Sequence, residues 1–265
     1  MAPDLTTDPA EDTRLLLDAA VTAGEIAMKH FRTDVETFRK GDDSPVTAAD
    51  LEINEMLAAR LPQSRPGYGW LSEETEDSAA RLSADHVFII DPIDGTRSFI
   101  AGEEGFSIAM AVARRGRVTS AVVHLPAREE TFAATLGAGA TKNGALIAAS
   151  LVQDPAQATV LTARKQMEPD HWLGGVPPMT RHFRSSLAWR MCLVAEGRFD
   201  TMLTFRDAWE WDIAAGALIA SEAGALVTNG QGGVLDFNAP GAQQPGVIAA
   251  PSDLHARLLS HRLGS

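Results

Sequence analysis

Asp91 and Asp94 stand three residues apart in FIIDPIDGTRSF, residues 88 to 99. The apolar run before Asp91 predicts a buried strand, Pro92 fixes φ and Gly95 permits a tight turn, which folds both carboxylates back to one strand end. With the main-chain carbonyl of Ile93 between them, they make a hard oxygen set suited to Mg²⁺. The competing reading is a capped turn, because Asp and Gly are ordinary turn residues. Position favours chemistry: the carboxyl end of a strand is where open α/β structures place ligands. Gly95 and Thr96 would then open a helix whose free N–H groups face an anion.

Three more acidic segments compete with plainer explanations. WLSEETED, residues 70 to 77, holds Glu73 and Glu74; it reads as a solvated loop, or as a strand end from which one glutamate points inward, since adjacent side chains take opposite faces. Asp212 in EWDIAAG begins a helix, so it is either an N-cap or a cleft carboxylate, and the small residues 214 to 216 after it fit both. In SPVTAAD, Thr47 and Asp50 have capping-box spacing, although a carboxylate in a first turn can also face a cleft. The seven histidines show no HxxxH or HxH spacing and read as surface or packing residues. Cys192 lies in an apolar helix and reads as core; Trp209 and Trp211 read as packing.

The elements that would position these groups follow from periodicity. Helices are expected from residue 11 to about 31 after a disordered tail of residues 1 to 10, and from Thr47 to Pro62, which should stop the second one. A polar loop from Lys40 through Asp42, Asp43 and Pro45 joins them. Strands are expected at 86–90, 106–113, 117–125 and 131–136 as a mainly antiparallel set. The second half alternates strand 158–163, helix 185–197, strand 199–205, helix 211–224, strand 247–250 and a terminal helix. No repeat and no long linker appears, so residues 11 to 265 read as one α/β catalytic domain. Its sub-domains span roughly 11–150 and 151–265, with a cleft between.

Charge sets the terms for any ligand: 23 Lys+Arg against 35 Asp+Glu gives −12. That argues against a nucleic-acid polymer or an acidic membrane surface as partner, and it requires cations if the substrate is itself anionic. Hydrophobic residues at 45% supply a core. One cysteine excludes an internal disulfide and fits a reducing cytoplasm. No basic secretory n-region is visible and no stretch is long and apolar enough to span a bilayer, so the expectation is a cytoplasmic chain.

In their order and spacing, SEE (72–74), DPIDGT (91–96) and WDIAAG (211–216) resemble the inositol monophosphatase superfamily of Mg²⁺-dependent, lithium-sensitive phosphatases. With SPVTAAD the likeness covers about residues 10 to 255. It implies a layered αβαβα sandwich, a homodimer and two or three Mg²⁺ ions per site. Glu73, Asp91 and the Ile93 carbonyl match the first metal position; Asp91, Asp94 and Asp212 match the second. Gly95 and Thr96 match the phosphate contacts, and Thr96 with Asp50 the pair that orients and deprotonates water, with Glu73 beside them as a catalytic residue. Lys40 corresponds to a basic loop residue, and Ser185 and Ser186 lie in the substrate-binding region.

Within that superfamily, SPVTAAD, LSEE, SSL, CLVAEG and EWD look more like the bacterial 3'(2'),5'-bisphosphate nucleotidases, which points to hydrolysis of the 3'-phosphate of adenosine 3',5'-bisphosphate. LTFRDAW lacks the glutamate that inositol phosphatases use on sugar hydroxyls, while Arg181, Arg184, Arg190 and Arg206 offer charge for a second phosphate. The alternatives are an inositol 1-phosphate, sugar-phosphate or histidinol-phosphate phosphatase, and, in another class, a non-catalytic phosphate-binding regulator. The full acidic ligand set argues against the last.

Overall fold

The computed structural model describes residues 8–41 and 44–263. Residues 1–7 of the tail expected at residues 1–10, and the loop aspartates Asp42 and Asp43, lie outside them. Helix α1 (Pro9–His30) starts earlier than the periodicity predicts, because Asp8 caps Ala10 N at 2.9 Å and Pro9 takes the first helical turn, where no donor is needed. Pro9 and Ala10 therefore belong to the helix. A short hairpin, β1 (Thr37–Arg39) and β2 (Pro45–Thr47), leads into α2 (Ala48–Ser64). Pro62 does not stop α2: it falls in the last turn, so it removes a single closing bond, and Arg65 N still bonds Leu61 O at 3.0 Å.

Seven strands form the first sheet in chain order: β3 (Gly69–Ser72), β4 (His86–Asp94), β5 (Ser107–Arg114), β6 (Arg117–Leu125), β7 (Glu130–Thr135), β8 (Ala140–Lys142) and β9 (Ala145–Leu146). Only β3 and β4 pair in parallel. Between β4 and β5 comes α3 (Thr96–Ile100). The second half adds β10 (Thr159–Leu161), β11 (Thr180–His182), α4 (Leu187–Ala195), β12 (Thr201–Thr204), β13 (Ala208–Trp209) and α5 (Glu210–Glu222). It closes with β14 (Leu226–Thr228), β15 (Gln243–Gln244), β16 (Val247–Ala250) and α6 (Ser252–Ser260). A five-stranded sheet runs β11-β10-β12-β16-β14.

Period-two alternation sorts the core into layers. Phe88 and Ile90 of β4 and Met110 and Val112 of β5 face Leu16, Ala23, Ile53 and Leu57 of α1 and α2. Val87, Ile89, Ala109 and Ala111 face the other way, onto Leu187, Met191, Ile213 and Ala217 of α4 and α5. Leu161, Met202 and Ala249 cover the far side of those two helices, and Val160, Leu203 and Ile248 turn outward onto Leu254 and Leu258 of α6. The layers are thus α, β, α, β, α. Each large aliphatic or aromatic side chain buried this way stabilises the fold by roughly 1.5–3 kcal/mol. The central helices approach closely because Gly216 has no side chain: a Cβ there would sit 2.7 Å from the Met191 methyl.

Candidate metal centre

A bulge decides the geometry of the first two carboxylates. Asp91 pairs with Ala109 and Asp94 with Ser107, so β4 spends three residues where β5 spends two. In a regular strand, residues three apart point to opposite faces; the extra residue brings Asp94 round to the side of Asp91. That side is the one facing α4 and α5, where Val87 and Ile89 also point. The chain then turns at Gly95, whose φ of +99° lies in the left-handed region, and a Cβ there would crowd the Gly105 carbonyl at 3.1 Å.

Parallel pairing places the third group. Leu71 lies opposite Ile89, and Glu73 N bonds Ile90 O at 3.2 Å, continuing the ladder past the end of β3. Glu73 shares the parity of Leu71, so it lies on the face of Asp91, and Glu74 starts on the other. The fourth comes from the opposite half. Asp212 lies in the first turn of α5, yet it is not the N-cap: Trp209 holds that place, with no side-chain cap. Released from capping, Asp212 brings a carboxylate oxygen within 4.8 Å of oxygens of Asp91 and Asp94.

The electrostatics are those of a site short of positive charge. Burial, then the charges of Glu73, Asp94 and Asp212, push Asp91 well above the ordinary carboxylate range; Asp212 rises for the same reasons, burial first and then Asp94 and Glu73. Asp94 is raised by burial to about 6, held there by hydrogen bonds from Ser186 and Ala188. At an effective dielectric of about 20, each like-charge pair at this separation costs roughly 3 kcal/mol. Asp91 Oδ1 is buried with no hydrogen-bond partner. Hard oxygens, mutual repulsion and an orphaned acceptor together fit a divalent cation, which would relieve all three.

Around this centre, Lys40 Nζ bridges Glu73 and Glu74 at 2.7 and 2.6 Å. Burial alone would lower its pKa, but the two glutamates carry it upward. Glu74 itself is raised to about 7, mainly by burial. Asp50 forms the expected capping box: its Oδ2 accepts from Thr47 N at 2.8 Å and Thr47 Oγ1 at 2.5 Å. Its other oxygen is buried without a partner, and burial lifts its pKa to about 6. The cap and the reactive carboxylate are therefore compatible, on different oxygens. No hydrogen bond among the described residues joins Thr96 to Asp50; the Thr96 hydroxyl donates to the Ile93 carbonyl at 3.1 Å.

Both serines of the expected substrate-binding region hydrogen-bond within the protein. Ser186 caps α4 through Trp189 N at 2.9 Å and donates to Asp94 Oδ2 at 2.7 Å, joined there by Ala188 N at 2.8 Å. Ser185 donates to Gly105 O at 2.7 Å and meets Ser98 Oγ at 2.8 Å. Sequence reasoning missed the grip of Ser186 on Asp94, although a Ser-Ser pair before an apolar helix is a cap signal. Of the four arginines, Arg181 is spent on Thr162 O and Arg184 lies against the Trp189 and Phe199 rings. Arg190 is buried, its Nε bonds Arg184 O at 2.6 Å, and burial lowers its pKa to about 10 against the pull of Asp94. Exposed Arg206 is near enough to partly offset the rise of Asp212. Trp209 and Trp211 stack on each other at 4.7 Å.

Known proteins resemble this chain in sequence and in fold. The inositol-1-monophosphatase of Rhizobium meliloti is 32% identical over 231 residues, 83% of this chain and 85% of its own length. The histidinol-phosphatase of Chlorobaculum parvum is 31% identical over 80% of this chain and 83% of its own. Among solved structures, an IMPase of Thermotoga maritima superposes with a TM-score of 0.81 at 28% identity, covering 94% of this chain and 96% of that one. The model of the inositol monophosphatase family matches residues 8–264, the stretch that carries every carboxylate described above, and the chain belongs to that metal-dependent phosphatase family.

Proposed function

We propose that the chain is a Mg²⁺-dependent phosphomonoesterase that removes the 3'-phosphate of adenosine 3',5'-bisphosphate. The observation that carries the phosphatase reading is the convergence of buried Asp91 and Asp94 with half-buried Asp212, from both halves of the chain, into one cluster that no ion pair among the described residues neutralises. Glu73, Asp91, Asp94, Asp212 and the Ile93 carbonyl would hold the ions. Bound Mg²⁺ would neutralise the phosphoryl oxygens and lower the pKa of water at the site.

The rest is done by side chains. Asp50 Oδ1, free of the capping box and with a pKa of about 6, is ionised near neutral pH and accepts the proton of the attacking water. The Thr47 bonds keep its other oxygen fixed while it does so. Thr96 Oγ1 fixes the direction of the Ile93 carbonyl, and the left-handed Gly95 lets substrate phosphate approach the backbone. Lys40 balances Glu73 and Glu74, which limits repulsion of an anionic ester. Cys192 is fully buried, and burial raises its thiol, so it takes no part as a nucleophile.

The bisphosphate reading is supported by the SPVTAAD, LSEE, CLVAEG and EWD phrases, by the absence of a sugar-binding glutamate in LTFRDAW, and by exposed Arg206, whose charge acts on Asp212. The names of the relatives favour a second reading, inositol 1-phosphate or histidinol phosphate. Phosphate release measured side by side on adenosine 3',5'-bisphosphate, inositol 1-phosphate, fructose 1,6-bisphosphate and histidinol phosphate separates them. Release should need Mg²⁺ and be fastest on the nucleotide. No release from any ester overturns the enzyme reading; release mainly from inositol phosphate overturns the nucleotidase one. The homodimer implied by the family likeness is tested by light scattering of the purified chain.

A further inference from the structure

A second charged network lies beside Asp212 and takes no part in the chemistry above. Glu210, the first residue of α5, is fully buried. Its carboxylate accepts from Asn238 N at 2.6 Å, Ala239 N at 3.0 Å and Gln244 Nε2 at 3.5 Å. From the other direction Arg81, 2% exposed and located between β3 and β4, reaches the same two residues: Nη1 donates to Asn238 Oδ1 at 2.6 Å and Nη2 to Ala239 O at 3.0 Å. Asn238 Nδ2 returns a bond to Arg81 O at 3.1 Å, and Asp77 holds the guanidinium at 2.6 and 2.8 Å.

One peptide, 238–239, is therefore gripped by both halves of the chain. On one side is the connection between β3, which leads to Glu73, and β4, which ends at Asp91 and Asp94. On the other is the residue two before Asp212. The grip costs backbone energy: Asn238 and Ala242 adopt φ of +65° and +50°. A residue with a side chain keeps that conformation only where the surroundings over-determine it. Glu210 N also bonds Ala242 O at 2.8 Å, so α5 is anchored to this segment by main chain and side chain together.

We infer that Glu210, Asn238 and Arg81 are positioning residues that set the distance from Asp212 to Asp91 and Asp94, and so the affinity of the centre for its metal. Metal binding needs these carboxylates ionised and close together, and in that state their like charges repel and push Asp212 away. Something rigid must resist that in the metal-free protein, and a buried carboxylate two residues away, held by two backbone N–H groups and Gln244 Nε2, is suited to it. Partners of this outer kind change metal affinity by about 10–100-fold when removed. The inference rests on the metal reading above.

The test is calorimetric titration of Mg²⁺ into the full chain without substrate, beside the melting temperature of the metal-free protein. Glu210→Gln replaces one acceptor oxygen by an NH₂ donor, so that either Asn238 N or Ala239 N loses its acceptor. Asn238→Gly removes both side-chain bonds to Arg81, keeps the N–H to Glu210, and tolerates the positive φ. Both should raise the Mg²⁺ concentration at half-saturation, Glu210→Gln by about tenfold or more, and the glycine variant decides the matter if the glutamine one does not fold. A lower melting temperature with half-saturation unchanged overturns the inference, leaving the network as scaffold only. A wild-type chain that binds no Mg²⁺ overturns the metal reading itself, and this inference with it.

Discussion

Two acidic groups of residues sit at opposite ends of α4, both against the seven-stranded sheet, and they are solved differently. At the far end, Glu130 and Glu196 meet Lys142 Nζ at 3.2 and 2.7 Å, with Arg128 3.5 Å from Glu130. Two carboxylates face two cations, so the charges balance within the protein even though Glu130 Oε2 and Glu196 Oε1 accept no hydrogen bond. At the near end, Asp91, Asp94 and Asp212 converge, and none of the ion pairs among the described residues includes them. Lys40 reaches only Glu73 and Glu74, and Arg190 stays on backbone carbonyls. Buried charges are normally paired; the cluster that is not paired by the protein is the one built for a ligand.

The largest expected contrast comes from Asp94→Asn. Activity should fall on the order of 10²–10³-fold, as when a group stabilising transition-state charge is removed. The metal-free fold should survive, because the change removes a repelled charge; phosphate-release assays and circular dichroism check the two halves. Next, Ser186→Ala frees Asp94 Oδ2 from one donor and α4 from its cap. Metal affinity should weaken by about 10–100-fold and stability by about 1 kcal/mol, read by Mg²⁺ titration and denaturant unfolding.

Lys142→Met should behave in the opposite sense. It strands Glu130 and Glu196 and should cost about 1–3 kcal/mol of unfolding free energy, which added Mg²⁺ does not restore. Recovery with Mg²⁺ would erase the distinction between the clusters.

The smallest effect is a pH dependence confined to the metal-free protein. Asp50 and Asp94 are raised to about 6 and Glu74 to about 7. Raised carboxylates stabilise the fold when protonated, below the unfolded value near 4, and that contribution is lost as pH rises through 6 to 7. In EDTA these groups should therefore make the melting temperature higher at pH 5 than at pH 8. Saturating Mg²⁺ should flatten or reverse the trend, and an unchanged slope would mean that the carboxylates do not bind the ion.

Much of this was legible locally. The turn at Gly95, the Thr47–Asp50 cap and the strand at 117–125 depend on neighbours within a few residues, so residue types announce them, whereas residues 91–94, expected in the turn, remain in β4. Pro62 misleads because its effect depends on where the helix ends, which packing of Leu57 and Leu61 decides. Asp212 reads as a cap until α5 is seen to begin at Glu210. Neither the bulge that turns Asp94 nor the choice of Glu73 over Glu74 by strand parity is visible without knowing which strand pairs with which. The bond from Ser186 to Asp94 spans 92 positions, and no spacing rule reaches that far.

By itself, the sequence determined the inventory: an excess of carboxylates, their order along the chain, the glycine and proline that shape the turn, and the apolar periods that build two sheets and their helices. Only the tertiary structure decided which carboxylates share one volume of space and which are neutralised by a neighbouring lysine. The physical reason is range. Turn and cap preferences act over three or four residues, whereas desolvation and charge repulsion depend on distances set by every layer of the sandwich at once.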